Sequence, residues 1–150
     1  SLYSKTFEFN ASVYYLVRAI GYQVMDYNII QTAGPWLARI AYVGILVLLL
    51  KKKIISWQGF FTAILFALSW YYLLALIVHP WYSITFVFLA VFTRFRFPMV
   101  WSFLAVLSYW AYSNPAFQEN FWLVGIEYTA VIGFMVWELL ITRGEKLKFI

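Results

Sequence analysis

Long runs of apolar residues, separated by short polar connectors, restrict the fold of this chain more than any other feature. Five such runs are present, at residues 34–50, 59–78, 80–93, 97–112 and 121–141. A helix rises about 1.5 Å per residue, so roughly 20 residues cross a hydrocarbon core of about 30 Å. The first, second and fifth runs reach or approach that length. The third and fourth are short, and they would have to thin the bilayer, use snorkelling arginines or be shielded by other protein.

Composition supports lipid as the solvent of these runs. Of the 150 residues, 65% are apolar and only 11% are charged, whereas a soluble domain carries about 25% charged residues. Too few polar groups remain to cover a surface facing water. We therefore predict an all-α integral membrane bundle of about five transmembrane helices, preceded by an amphipathic helix on the outer surface. The chain has no cysteine, which excludes disulfides and thiolate metal sites.

The positions of the basic residues predict the orientation of the bundle. Eight of the eleven lysines and arginines lie in residues 51–53, in residues 94–96 and in the tail after residue 142. Alternation along five spans places these clusters on one side, which the positive-inside rule makes cytoplasmic. The amino-terminal segment, His79 and residues 113–120 then lie outside, and the carboxy terminus lies inside. The net charge of +5 follows this membrane pattern and does not indicate a nucleic acid partner. Six tryptophans fall at predicted membrane boundaries, and Trp70 falls in mid-span.

Residues 1–33 differ from the rest of the chain. Their apolar residues recur at helical spacing, and Asn10 is a candidate helix cap; the stripe consists of Val13, Leu16, Val17, Ile20 and Val24. We interpret residues 1–33 as an extracytoplasmic interfacial segment and residues 34–150 as one transmembrane domain. A chain that begins outside, at Ser1, needs an upstream element to deliver it there, so we expect a longer protein.

Charged residues inside predicted spans are the first candidates for function. Arg39 and Glu127 lie within the first and fifth runs, and intramembrane charges usually face the bundle interior or an aqueous cavity. Counted from Pro35 and Phe121, they sit at depths of roughly 6 and 9 Å, which predicts a structural ion pair or a shared polar cavity. Glu138 is close enough to the inner boundary to snorkel or to meet Arg143.

A second group of candidates lies on the predicted outer side. His79, before Pro80, is suited either to cap a helix or to bind an anion at its positive end. Trp81 and Tyr82 are interfacial anchors or ligand contacts. Four polar residues of the amino-terminal segment either line a polar mouth or form a solvated helix face; these are Arg18, Asp26, Asn28 and Gln31. Residues 10–12 match a glycosylation sequon, a pattern common by chance.

Three stretches of sequence together are similar to a known family. The first is FEFNASVYYL at residues 7–16, followed by Gly21 and by YNII at 27–30; the second is HPWY at 79–82; the third is ENFWL at 119–123, followed by Glu127 and Tyr128. Together they resemble the carboxy-terminal part of bacterial polytopic mannosyltransferases of the GT-C superfamily, which use polyprenyl-phosphate sugar donors. The resemblance extends over nearly the whole chain.

This resemblance implies an inverting glycosyltransferase of the bacterial inner membrane, with its active site at the extracytoplasmic face. The general base of such enzymes is an acidic residue in the first outer loop, in an upstream half that has no counterpart here, so no catalytic residue maps onto this chain. His79, Arg18 and Arg39 match positions suited to stabilise the leaving phosphate, and Tyr82 and Glu127 complete the candidate substrate-binding set. The implied partners are the bilayer, a polyprenyl-phosphate-linked sugar and the upstream half. No cofactor is expected in this part, and a divalent metal in the full-length enzyme stays open.

Two other functions are compatible with the same sequence. A transporter fragment would show broken helices and polar residues near the membrane midplane, whereas the second run is uninterrupted and the polar residues gather near the predicted outer face. A membrane scaffold or assembly module would need no polar outer cavity. The chain contains no self-sufficient catalytic motif, with one histidine, no glycine-rich phosphate loop and no cluster of metal ligands.

Overall fold

A computed structural model describes residues 7–51 and 56–147, with the backbone alone at residues 51 and 143–147. The described chain is helical and contains no strand; one isolated parallel bridge joins Phe9 to Ile77. Its α-helices are α1 (Ser12–Met25), α2 (Ile30–Lys51), α3 (Trp57–Leu74), α4 (Ser83–Val91), α5 (Phe97–Leu104) and α6 (Phe121–Leu147), and 3-10 turns form Pro80–Tyr82 and Ala105–Ser113. The prediction of an all-helical fold is confirmed. The chain divides into two compact units, Ser1–His79 and Pro80–Ile150.

Three helices in the described part are long and apolar enough to cross a membrane. They cover Ile30–Leu50, Trp57–Leu74 and Phe121–Thr142. These are the first, second and fifth predicted runs. The third run forms the shorter apolar helix Pro80–Val91, and the fourth changes from α-helix to 3-10 geometry after Leu104. An integral membrane helical protein is therefore indicated, with three candidate spans. The basic clusters at residues 52–53 and after residue 142 lie outside the described side chains.

The tryptophans of the two predicted groups differ in exposure, and their depth in a bilayer stays a prediction. The six assigned to membrane boundaries are all at least half exposed or close to it, from 49% for Trp81 to 85% for Trp122. Trp70, assigned to mid-span packing, is half-buried, and its indole N–H donates to the Ile40 carbonyl at 3.4 Å.

The first unit is built on the packing of α2 against α3. Ser56 caps α3 by accepting a hydrogen bond from the Gly59 amide at 3.1 Å. The indole of Trp70 lies so close to Gly44 that a Cβ atom there would be 2.0 Å from Nε1. A glycine on one helix therefore lets the backbone of α2 approach a large ring on α3, as at close contacts between transmembrane helices. The buried cluster of this unit adds residues of α1, and includes Tyr14, Ala33, Leu37, Ala41 and Leu74.

Helix α1 is present, but its predicted stripe does not face one way. Val13 and Val17 pack against the buried cluster, whereas Leu16, Ile20 and Val24 are 63–70% exposed. The helix also buries Tyr14 and Gly21, which the stripe did not contain. Its outward apolar row, at i, i+4 and i+8, is available to lipid or to other protein, and its position on the outer surface stays a prediction.

The proposed cap of α1 is wrong. The N-cap residue is Ala11, without a side-chain hydrogen bond to the helix. Asn10 is fully buried and adopts a positive φ of 46°, a conformation that asparagine tolerates better than most residues. Burial also removes the side-chain amide from the surface, so the sequon at residues 10–12 is not accessible to modification in the folded chain.

The second unit is centred on Trp101 of α5. Its ring stacks on Phe86 of α4 with centroids 4.6 Å apart, and Tyr128 of α6 meets it edge-on at 5.8 Å. Trp101 and Phe86 are each at most 2% exposed. Three helices thus meet around one indole ring.

Candidate functional site

The segment before α1 pairs with the segment after α3. The Phe9 amide donates to the Leu76 carbonyl at 3.0 Å, and the Val78 amide donates to the Phe9 carbonyl at 2.8 Å. With these two hydrogen bonds in place, the ring centroids of Phe9 and His79 lie 5.1 Å apart. Residues seventy positions apart are thereby joined at one end of the first unit, where His79 is half-buried.

Arg18 joins this place through the residue before Phe9. Its guanidinium forms an ion pair with Glu8, and it lies 4.7 Å from the ring centroid of Tyr15. The two charged side chains are only 18% and 16% exposed. We call Glu8, Phe9, Tyr14, Arg18, Asn28 and His79 the amino-terminal cluster. Since Glu8 compensates its charge, Arg18 is held in a fixed position at the edge of this cluster.

Tyr14 and Asn28 connect the start of α1 to the start of α2. The Tyr14 hydroxyl donates to Asn28 Oδ1 at 2.6 Å, and the same oxygen accepts from the Ile30 amide at 3.0 Å. Asn28 thus caps α2 while it holds the buried Tyr14 ring. Asn28 is therefore not simply part of a solvated helix face, which was one of the two alternatives that the sequence allowed. Asp26 and Gln31 are exposed to solvent.

A Tyr14→Phe variant tests this connection. Losing the hydroxyl should cost about 1 kcal/mol of stability near neutral pH. Burial raises the pKa of Tyr14 to about 12 from its ordinary value of 10.0, so the unfolded hydroxyl ionises first and this part of the stability is lost between about pH 10 and pH 12. Thermal unfolding in detergent should therefore show a difference between wild type and variant that narrows above pH 10. A difference that stays constant with pH would contradict the assignment.

Burial lowers the pKa of His79 below its ordinary value of 6.5, because desolvation disfavours the imidazolium form. The ring is thus mainly neutral at pH 7. It can donate one N–H and accept at the other nitrogen. An anion at this end of the unit would receive a hydrogen bond from His79, and full positive charge would have to come from an arginine.

Arg39 lies elsewhere in the first unit. Its guanidinium sits 4.8 Å from the ring centroid of Trp36, one turn earlier on α2. The side chain is exposed and lines an apolar groove with Ile40, Val43 and Trp70. Arg18 and His79 are therefore both linked to residues 8–9, Arg18 through Glu8 and His79 through Phe9, whereas Arg39 lines a separate groove.

The second unit holds Glu127 and Tyr82. Glu127 is fully buried, and its carboxylate accepts a hydrogen bond from the Trp101 indole N–H at 3.2 Å. Tyr82 is half-buried at the end of the 3-10 turn, edge-on to Trp81. The hydrogen bond links α5 to α6 at this buried carboxylate. The predicted pairing of Glu127 with Arg39 and its predicted part in substrate binding stay predictions.

Glu138 has a role that the sequence did not indicate. Its carboxylate accepts the Arg96 amide at 2.7 and 2.9 Å and the Phe97 amide at 2.8 Å. These two amides lie at the start of α5, where the side chain of the N-cap residue, Arg96, forms no hydrogen bond to the helix. Glu138 therefore caps α5 from α6, where a negative charge also meets the positive end of the helix dipole. The alternative partner, Arg143, lies outside the described side chains.

The loop between the second 3-10 segment and α6 forms a groove of about 640 Å³. Asn114 organises it by donating to the Gln118 carbonyl at 2.9 Å and accepting from the Gln118 amide at 2.9 Å. Asn120 caps α6 through the Trp122 amide at 3.0 Å. The walls combine exposed rings with amide and carboxylate groups, and include Trp110, Gln118, Glu119 and Trp122. We call this the loop groove.

Sequence reasoning missed Glu8, Trp101 and the loop groove. Glu8 stands within a resembling stretch, but only the fold shows that it pairs with Arg18. Trp101 lies in an unbroken apolar run, which gives no signal of a polar partner. In the described part of the chain, no group of three or more metal-ligating side chains is present.

Comparisons with protein-family models, with curated proteins and with solved structures gave no match to this chain.

Proposed function

We propose that this chain is the carboxy-terminal membrane portion of a mannosyltransferase-like glycosyltransferase that takes a sugar from a polyprenyl-phosphate donor at the extracytoplasmic face. The observation that carries the proposal is the amino-terminal cluster. Two of the resembling stretches, residues 7–16 with 27–30 and the stretch that opens at His79, supply its members from distant parts of the sequence.

The cluster has groups suited to a phosphate at the membrane surface. Arg18 supplies planar N–H donors, and Glu8 fixes its position. His79 adds one neutral N–H donor. In the reaction, the base removes the proton of an acceptor hydroxyl, the oxygen attacks the anomeric carbon from the opposite face, and the bond to the phosphate oxygen breaks. Charge-assisted hydrogen bonds to the departing phosphate would lower the barrier of this step.

The loop groove of the second unit, taken by itself, has groups suited to bind a sugar or an acceptor hydroxyl. Exposed aromatic rings offer a flat apolar face, and the amide and carboxylate groups of Gln118 and Glu119 offer acceptors and donors for hydroxyl groups. The loop groove is lined by residues 119–122, which belong to the third stretch that resembles the family. The general base is supplied by the upstream half of the protein in this proposal.

A five-span topology is part of the proposal, and the geometry of the fourth run supports it. Residues 97–104 are α-helical and 105–113 are 3-10. With rises of about 1.5 and 2.0 Å per residue, these two segments together extend roughly 30 Å, the thickness of the hydrocarbon core. With the same rises per residue, the helical part of the third run is roughly 20 Å long, which is shorter than the hydrocarbon core. No charged residue lies between 97 and 113, which disfavours a transport path there.

The test is glycosyl transfer by the full-length protein carrying His79→Phe. Phenylalanine keeps a ring against Phe9 but has no N–H to donate. Losing a hydrogen bond to a charged group should reduce kcat/KM by roughly tenfold to a hundredfold, with radiolabelled polyprenyl-phosphate mannose as donor. The amount of protein in the membrane should not change.

His79→Gln is the matched control, because its amide can still donate, and part of the activity should return. Unchanged turnover in His79→Phe would limit His79 to packing. Absence of any transfer by the wild-type full-length protein, with several polyprenyl-phosphate sugars, would leave the scaffold function as the better explanation.

A further inference from the structure

The surface of α2 around Arg39 carries a charge where a membrane span should be apolar. The helix begins at Ile30, so Arg39 is nine residues, or about 13 Å, from its start. In the described part of the first unit, the carboxylates are Glu8, which pairs with Arg18, and Asp26, which is exposed at the end of α1. Arg39 forms an ion pair with neither, and an uncompensated charge is costly at this depth.

The direction of the Arg39 side chain indicates where its charge is compensated. Helical side chains point toward the amino-terminal end, and the guanidinium reaches back over Trp36, one turn closer to that end. Trp36 is 58% exposed, as expected of a ring at the interface. The guanidinium therefore points toward the amino-terminal end of α2, the direction in which an arginine snorkels to the nearer membrane surface.

Below Arg39 the same face of α2 forms an apolar groove. It has a volume of about 370 Å³ and is lined by Ile40, Val43, Gly44 and Trp70 beneath Trp36 and Arg39. Ile40 and Val43 are 47% and 56% exposed, so the groove opens sideways. Because Gly44 has no side chain, the edge of the Trp70 ring lies directly against α2 and closes one side of the groove. One cation above an apolar trough matches an amphiphile with one anionic head and a hydrocarbon chain.

We propose that this groove binds an anionic phospholipid, with the phosphate on the Arg39 guanidinium and an acyl chain along Ile40, Val43 and Trp70. Charge complementarity selects this occupant. A zwitterionic lipid carries its own ammonium group, which competes with the guanidinium for the phosphate, whereas an anionic lipid leaves the phosphate to a bidentate contact. The bound lipid would neutralise the only charge in the α2 span.

The experiment measures lipid retention by the full chain purified in detergent. Phosphatidylglycerol and phosphatidylcholine with identical acyl chains are supplied in equal amounts, and the lipids kept by the protein are counted by native mass spectrometry. Wild type should retain phosphatidylglycerol in preference. Arg39→Gln should reduce that preference roughly tenfold or more, because the charge-assisted hydrogen bond to the phosphate is lost. Arg39→Lys, a cation without the planar fork, should fall between them.

Arg94→Gln is the matched control, because Arg94 is an exposed arginine in the other unit and its loss changes net charge equally. Its lipid preference should equal that of wild type. Equal retention of both lipids by wild type, or an unchanged preference in Arg39→Gln with native helicity by circular dichroism, would overturn the inference. Displacement of the phospholipid by equimolar polyprenyl phosphate would also overturn it and assign the groove to the sugar donor. Because the readout is lipid binding, the result is independent of glycosyl transfer.

Discussion

Gly44→Ala should destabilise the protein by about 1–3 kcal/mol or more, the cost of forcing extra volume into a packed contact. The added Cβ would lie 2.0 Å from Trp70 Nε1 and 2.6 Å from Cε2. The indole cannot move freely, since it is half-buried and its N–H is bonded to the Ile40 carbonyl. Helices α2 and α3 would have to separate, and the first unit would lose its main helix contact. Thermal unfolding in detergent micelles measures the change.

Gly133→Ala is the matched control for this effect. Gly133 lies in α6, and a Cβ there would meet nothing within 4 Å. Alanine is favoured over glycine in a helix by roughly 0.5–1 kcal/mol, so this variant should be as stable as wild type or slightly more stable. The double variant Gly44→Ala/Trp70→Leu should recover part of the loss, because the smaller side chain removes the clash. A Gly44→Ala protein that unfolds at the wild-type temperature would show that α2 and α3 do not approach this closely.

The apolar runs predicted the long helices because a span must satisfy its backbone internally, which leaves little choice of structure. They predicted the helix ends less well. Helix α2 begins at Ile30 and takes in Gln31 and Thr32, four residues before the apolar run at Gly34. Polar residues are tolerated in a first helical turn, so hydrophobicity alone does not mark the start. The depth of Arg39 changes from roughly 6 Å below Pro35 to about 13 Å below Ile30.

The candidate site was only partly predictable. His79 and Arg18 could be selected because a polar residue stands out in an apolar chain, and the structure joins them through Glu8 and Phe9. The joining itself depends on two backbone hydrogen bonds between Phe9 and residues 76 and 78, and backbone pairing has no side-chain signature. Asn10 was misassigned as a cap for a related reason. Its residue type suits both a cap and a left-handed turn, and tertiary packing selected the buried turn.

Glu138 is the clearest case of a contact with backbone groups that the sequence could not predict. Its replacement is the second substitution that we expect to lower the stability strongly. The sequence offered a nearby arginine as its partner, but the carboxylate accepts three hydrogen bonds from the Arg96 and Phe97 amides, more than forty residues away. Neither residue type predicts this contact, because the donors are main-chain N–H groups that any sequence would present. Only the packing of α6 beside the start of α5 reveals it.

Glu138→Gln should destabilise the second unit by about 1–3 kcal/mol, the cost of weakening the hydrogen bonds to a charged acceptor and of leaving the partly buried Phe97 amide poorly satisfied. Glutamine has the same shape, but it loses the charge that favours the helix start, and its amide nitrogen would face N–H groups in place of an acceptor oxygen. Without its cap, α5 should fray at its first turn, where Phe97 and Pro98 are buried. Hydrogen exchange at the amides of residues 96, 97 and 99 should therefore accelerate more than in α3.

Asp26→Asn provides the matched control, because it makes the same change from carboxylate to amide at an exposed position in the first unit. Asp26 adopts a left-handed φ of 58°, which asparagine also accepts, so this variant should unfold like wild type. If Glu138→Gln matched it in both unfolding temperature and exchange at residues 96, 97 and 99, Glu138 would not be the cap of α5. If exchange rose in α5 alone while the unfolding temperature fell, the cap would be established as one of the contacts that hold α5 against α6, beside those of Trp101.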